Sequence, residues 1–281
     1  MCDRTTLRKR LADNLKAFNA KERDHLMRFA YMGQQGNYGE SDGFLSGQFL
    51  DSLWETLTRG QVKEFPSDGA CLFAGMDYHI DWLFAALRLT AAERDAHDVA
   101  GKWEVERDTC DEKKIGSSNK VRLDPILGNQ EDLDLVILLS VESRLLLVLL
   151  EAKGHVAFDR VQLARKLIRT NNVITKAQMP EREPEGLQFF FVLASANEKP
   201  EDCENFTSLI LPKGEGHIFS QWPEDEKALS FNRGVDDLLW MKIPGYPRKL
   251  ARVERTKKQE NGDYSHWKVA TRHWKKPPSG S

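Results

Sequence analysis

Residues 131–154 read EDLDLVILLSVESRLLLVLLEAKG, two apolar runs broken only by Glu142, Ser143 and Arg144. Neither run approaches the roughly 20 apolar residues that a membrane helix needs. Short runs rich in Leu, Val and Ile and bounded by polar residues suit buried strands. The break predicts a turn at Glu142-Ser143, so that the runs fold back on each other as an antiparallel hairpin. About that turn Asp134 falls opposite Glu151, and Asp132 opposite Lys153. Side chains alternate along a strand, so Asp132 and Asp134 share one face, as do Glu151 and Lys153. An otherwise apolar hairpin then carries its charge at one end, with opposed Cβ atoms about 4.5–5.5 Å apart. A turn longer or shorter by one residue would undo this register.

Two carboxylates at that separation repel each other unless a positive charge sits between them. Hard oxygen ligands suit Mg²⁺ or Mn²⁺, so Asp134 and Glu151 are the candidate metal ligands, with the Ala152 carbonyl as a further one. A metal so held lowers the pKa of a bound water and stabilises charge on a phosphate. Lys153 would orient the attacking water or stabilise the developing negative charge. Asp132 is better suited to pairing with Lys153 than to binding metal.

The flanking sequence supplies further elements. Leu7, Leu11, Leu15 and Phe18 form a stripe at helical spacing within a helix read from Leu7 to about Tyr31. After the break GQQGNYGESDG, Ser41 or Asp42 is placed to cap a second helix running through Leu57. A third helix is read around GMDYHIDWLFAALRL, followed by a strand at Trp103–Arg107 and a charged loop, DEKKIGSSNK. Strands at Asp134–Leu139 and Leu145–Leu150 come next, then an amphipathic helix from Phe158 to about Asn171. Further strands are read at Gln188–Ser195 and Phe206–Leu211. The expected fold is α/β, with a mixed central sheet flanked by helices. Residues 1–60 form an N-terminal helical extension packed on the core, and residues 61–281 the main domain with a basic C-terminal segment.

The constellation resembles the PD-(D/E)XK superfamily of restriction-endonuclease-like nucleases: an acid on the second core strand (Asp134), then Glu-X-Lys on the third (Glu151, Ala152, Lys153). The helix–strand–strand–strand–helix–strand order (αβββαβ) is similar to its common core. Leu133 stands where the superfamily's proline would be. The resemblance implies a metal-dependent nuclease, and a role for Gln162 on the following helix in positioning substrate or metal. It also implies an additional acid on the first core helix, for which Asp77 and Asp81, four residues apart, are candidates, with Glu55 further off. More narrowly, FNAKERDHLMRFAYMG, AGMDYHIDWLFAAL and EDLDLVILL…EAK resemble a bacterial protein family that carries no assigned activity.

The predicted function is hydrolysis of phosphodiester bonds, in DNA first of all, by metal-activated water; the alternative is a non-catalytic nucleic-acid-binding or protein-interaction module on the same fold. A net charge of −2 over 281 residues means that contact with nucleic acid must rest on local basic groups. Arg165, Lys166 and Arg169 share a face with Gln162 and are the candidate phosphate contacts. After Gly245, basic residues outnumber acidic ones, with Tyr246, Tyr264, Trp267 and Trp274 interleaved; the reading set against base stacking is a β-hairpin at Gly262. His155, just after Glu-X-Lys, is better read as an ordinary loop histidine. Cys2, Cys71, Cys110 and Cys203 form no CxxC pair, which argues against a zinc ribbon or iron–sulfur site and fits reduced thiols. No Walker phosphate loop or GxSxG elbow is present. The charged N-terminus lacks an apolar signal region. A cytoplasmic protein with no membrane contact is expected, with a homodimer suited to cutting two strands.

Overall fold

The computed structural model of the chain describes residues 4–18, 45–100, 112–115, 119–122, 131–153, 160–177, 187–195, 238–243, 249–258 and 264–273. In chain order the elements are α1 (Arg4–Phe18), α2 (Gly47–Leu57), β1 (Ala70–His79), α3 (Ile80–Ala91), α4 (Ala96–Val99), β2 (Glu112–Ile115), β3 (Asn119–Arg122), β4 (Asp132–Val141), β5 (Arg144–Lys153), α5 (Arg160–Lys176), β6 (Leu187–Ser195), β7 (Leu239–Lys242), β8 (Lys249–Lys258) and β9 (Tyr264–His273). Among the described residues no helix is long and apolar enough to cross a membrane.

The two apolar runs form the expected hairpin in the expected register. Val141 pairs with Arg144 across the turn at Glu142-Ser143, and the ladder continues to Leu135 against Leu150. Glu142 reaches the turn with φ +50°, a left-handed conformation that disfavours a residue with a Cβ. The hairpin lies at the centre of a five-stranded sheet ordered β1-β4-β5-β6-β7. β1, β4 and β5 are antiparallel neighbours, while β5, β6 and β7 are parallel, so the sheet is mixed. Parallel neighbours need a crossover, and α5 lies between β5 and β6 in the chain.

Apolar runs this continuous imply cover on both faces. One face, with Val136, Leu138, Leu147, Leu149, Phe191 and Leu193, meets Leu11 and Leu15 of α1, Leu83 and Leu87 of α3, and Leu163 and Leu167 of α5. The other, with Ile137, Leu139, Val148, Leu150 and Val192, meets Leu53 and Trp54 of α2. α1 is held by more than apolar contact. Tyr78 Oη donates to the Leu15 carbonyl at 2.8 Å, and Asn14 donates to Thr90 Oγ1 while accepting from Ala96 N–H. The N-terminal helices therefore pack on the core.

Residues 75–79, read from sequence as the start of the third helix, belong instead to β1, and α3 begins at Ile80. Consequently a strand precedes that helix, and the order differs from αβββαβ. The reason is pairing with β4, Gly75 opposite Val136 and Tyr78 opposite Leu133. A Cβ at Gly75 would meet the Phe73 ring at 2.6 Å, and Phe73 packs edge-on against Tyr78 at 5.6 Å. Two other corrections concern boundaries. α2 is capped by Ser46, whose Oγ accepts from Phe49 N–H at 3.2 Å, rather than by Ser41 or Asp42. The charged stretch read as a loop contributes β2 and β3, an antiparallel pair with Glu112 opposite Arg122. β8 and β9 also pair, from Lys249 against His273 to Lys258 against Tyr264, as the hairpin reading of the C-terminal region anticipated. The strands read at Trp103–Arg107 and Phe206–Leu211 lie outside the described residues, as do Tyr31 and His155.

Leu147 is fully buried, so Leu147→Ala should cost about 2–5 kcal/mol. Glu142→Gly removes the Cβ from a left-handed position and should leave stability unchanged or raise it by up to about 1 kcal/mol. Urea unfolding of both variants tests the hairpin; a loss above about 1 kcal/mol in Glu142→Gly would contradict this turn.

Candidate functional site

Strand directions bring five termini to one edge of the sheet: His79 ends β1, Asp132 begins β4, and Lys153, Ser195 and Lys242 end β5, β6 and β7. Asp134 and Glu151 come immediately after the last pair of the β4–β5 ladder. There the Asp134 side chain takes over from backbone pairing: its Oδ2 accepts from the Ala152 N–H at 2.6 Å. This fixes one carboxylate beside the Glu-X-Lys segment.

Glu151 is only 3% exposed. Its Oε2 accepts from Lys166 Nζ of α5 at 2.5 Å, and its Oε1 lies 3.4 Å from Lys153 Nζ. Burial, with the Asp134 charge adding to it, pushes the Glu151 carboxyl above its ordinary value of 4.5; the Lys166 hydrogen bond and the charges of Lys166 and Lys153 pull the other way. Asp134, Glu151 and Lys153 are thus brought together, as the register implied.

The other candidates are distributed differently. Asp77 is in β1, with φ +48°, at the position between the Met76–Leu135 and Tyr78–Leu133 pairs. The register therefore sets Asp77 opposite Asp134 of β4. The expectation that Asp77 and Asp81 share a helical face is overturned, because α3 starts at Ile80. Asp81 pairs with Arg169 Nη2, and Arg169 Nη1 donates to Glu131 Oε2 at 3.0 Å. Asp132 lies 2.7 Å from His79 Nδ1, a different partner from the Lys153 that the hairpin symmetry suggested. Glu55 lies in α2, on the opposite face of the sheet. Gln162 is exposed on α5; the Arg165 side chain lies outside the described residues.

Lys166 and Arg169 are not on a solvated face. They are 5% and 1% exposed, and their charged ends meet carboxylates. The sequence reading missed this because it ended the helix near Asn171. α5 continues to Lys176, and the buried positions 163, 166, 167, 169, 170, 173 and 174, with 177 just beyond it, fall on one side at helical spacing. With Val173, Ile174 and Ala177 included, Lys166 falls on the core side. Lys242 was also missed: β5, β6 and β7 align it with Ser195 and Lys153.

The donor set at Asp134 and Glu151 is chemically compatible with a hard divalent cation. Two carboxylates are held close enough for one to raise the proton affinity of the other, and the Ala152 carbonyl is adjacent in sequence. Among the described residues no three acidic, histidine or cysteine side chains converge in a group that could hold a metal ion. Such an ion would have to complete its shell largely with water, as Mg²⁺ commonly does.

Because Glu151 is raised, the folded chain keeps a proton that the unfolded chain has released. Its contribution to stability is present below the ordinary glutamate value and is lost as pH rises through the raised one. In chelated buffer, wild-type stability should therefore fall more steeply than that of Glu151→Gln as pH rises above the ordinary glutamate value of 4.5. Urea midpoints measured from that value upward decide the matter, and parallel curves would rule out the shift.

Compared with models of protein families, with curated proteins and with solved structures, the chain shows no match.

Proposed function

We propose that the chain hydrolyses phosphodiester bonds in nucleic acid, DNA first of all, using Mg²⁺ or Mn²⁺ at Asp134 and Glu151. The observation that carries this reading is the meeting of Asp134, Glu151 and Lys153 at one end of a buried antiparallel hairpin. The topology supports it. Three antiparallel strands followed by a helix and a strand parallel to the third resemble the restriction-endonuclease-like core, with α3, α4, β2 and β3 inserted between the first and second of those strands. A homodimer would bring a second site to the second strand of a duplex.

The bound cation would supply an activated water and charge stabilisation at the phosphate. The residues of the chain do the rest. Asp134, fixed by the Ala152 N–H, and Glu151, fixed by its burial, present carboxylate oxygens. The Lys153 ammonium, a quarter exposed, holds the water or the phosphate oxygen that gains negative charge. Lys242, exposed on the same sheet edge, adds a second cationic group for a neighbouring phosphate.

One observation favours a second reading, a non-catalytic module whose ions are structural: both Glu151 oxygens already face ammonium groups. Cleavage of labelled single- and double-stranded DNA and RNA, with Mg²⁺, Mn²⁺ or EDTA, separates the two. Wild type should cleave only with metal, and Glu151→Ala and Lys153→Ala should each lose at least about a hundredfold in rate. Cleavage that survives both substitutions would sink the assignment.

A further inference from the structure

We propose that Lys166 is a built-in counter-cation of the site, holding one Glu151 oxygen and so competing with a divalent metal for that carboxylate. This rests on the reading of Asp134 and Glu151 as metal ligands.

The position of Lys166 is unusual for a lysine. α5 buries Leu163, Leu167, Thr170, Val173 and Ile174 along one stripe, and Lys166 sits within it where a leucine or methionine would pack without desolvating a charge. Lysines are almost never fully buried unless paired, and replacing a buried ion pair by apolar residues is often neutral or stabilising. Packing therefore does not account for the ammonium; its partner does. Lys166 Nζ is 2.5 Å from Glu151 Oε2, and both side chains are nearly excluded from water. Lys153 approaches the other oxygen less closely, at 3.4 Å, and is more exposed. Of the two lysines, Lys166 is the one committed to the carboxylate.

A carboxylate oxygen that accepts a short charge-assisted hydrogen bond has that lone pair engaged. A metal ligand must turn the same negative charge toward the ion. Lys166 and a cation at Glu151 therefore draw on one carboxylate, and two positive charges converging on it repel in a site of low polarity. Lys166 keeps Glu151 compensated while no metal is present. Metal binding must displace its ammonium, and the cost of doing so weakens the observed affinity. Arg169, one turn along and tied to Asp81 and Glu131, holds α5 in place as Lys166 yields.

The test is direct Mn²⁺ titration by calorimetry at about pH 8, where protons compete little for a carboxylate, without nucleic acid. The proteins are full-length wild type, Lys166→Met, Lys166→Gln and Glu151→Gln. Lys166→Met should bind roughly tenfold more tightly than wild type or better, Lys166→Gln by a smaller factor in the same direction, and Glu151→Gln should lose binding. If wild type binds through Glu151 and both Lys166 variants bind equally or more weakly, the competition is refuted while the metal-centre reading stands. If neither wild type nor the Lys166 variants bind, the metal-centre reading fails and takes this inference with it. Should the variants not fold, wild type alone still decides. Saturating Mg²⁺ should increase reductive methylation of Lys166, read by mass spectrometry against EDTA. Unchanged labelling, with metal binding shown by calorimetry, would overturn the displacement.

Discussion

The structure turns on a carboxylate that burial alone would drive out of its charged form. Glu151 continues an apolar strand one residue past the last pair of the central ladder, at 3% exposure. Isolated there, its charge would be too costly to keep. The surroundings answer with two lysines from different elements, one on its own strand and one on the helix that follows. Because Lys166 comes from α5, the crossover helix is tied electrostatically to the strand it has just left. Helix position and site charge are parts of one arrangement.

A second cluster has the opposite composition. Arg169 is 1% exposed and meets Asp81 at the start of α3 and Glu131 just before β4. One cation bridges two anions there, where at Glu151 one anion gathers two cations. The Ile80 N–H also donates to the Glu131 carbonyl, so the strand-to-helix switch after His79 is fastened to the start of β4 by backbone as well as by charge. Such a network is worth little as a sum of pairs, since desolvation offsets attraction. Its effect is geometric: β1, α3, β4, β5 and α5 can meet at this edge in few other ways without leaving a buried charge unpaired.

The part of this arrangement legible in the sequence was the part governed by local rules. The short polar break Glu142-Ser143-Arg144 between apolar runs points to a turn, and the register about Glu142-Ser143 was enough to bring Asp134 beside Glu-X-Lys. β1 was not legible, because ACLFAGMDYH has no clean alternation and runs directly into a true helix; its strand character comes from pairing with β4, a long-range fact. The same limit applies to Lys166. Counted over a helix ending near Asn171, it joins a polar face; counted over a helix ending at Lys176, it joins the buried stripe. Asp81 stood out as a candidate acid, but its union with Glu131 gave no signal, because the residue that joins them, Arg169, is distant from both in sequence.

The balance of charge at the edge bears on what could bind there. Among the described residues of the paired clusters, the carboxylates of Asp81, Glu131, Asp132, Asp134 and Glu151 outnumber the cations Lys153, Lys166 and Arg169. Against these residues a nucleic-acid phosphate approaching Asp134 and Glu151 would meet net repulsion, and Lys166 and Arg169 are turned inward. Lys153 and the exposed Lys242 lie at the ends of β5 and β7. A divalent cation at the two carboxylates would reverse the local sign where the phosphate must sit. On the proposed reading, the metal requirement is thus a requirement of binding before it is one of chemistry, because the added positive charge is held where the scissile phosphate must sit.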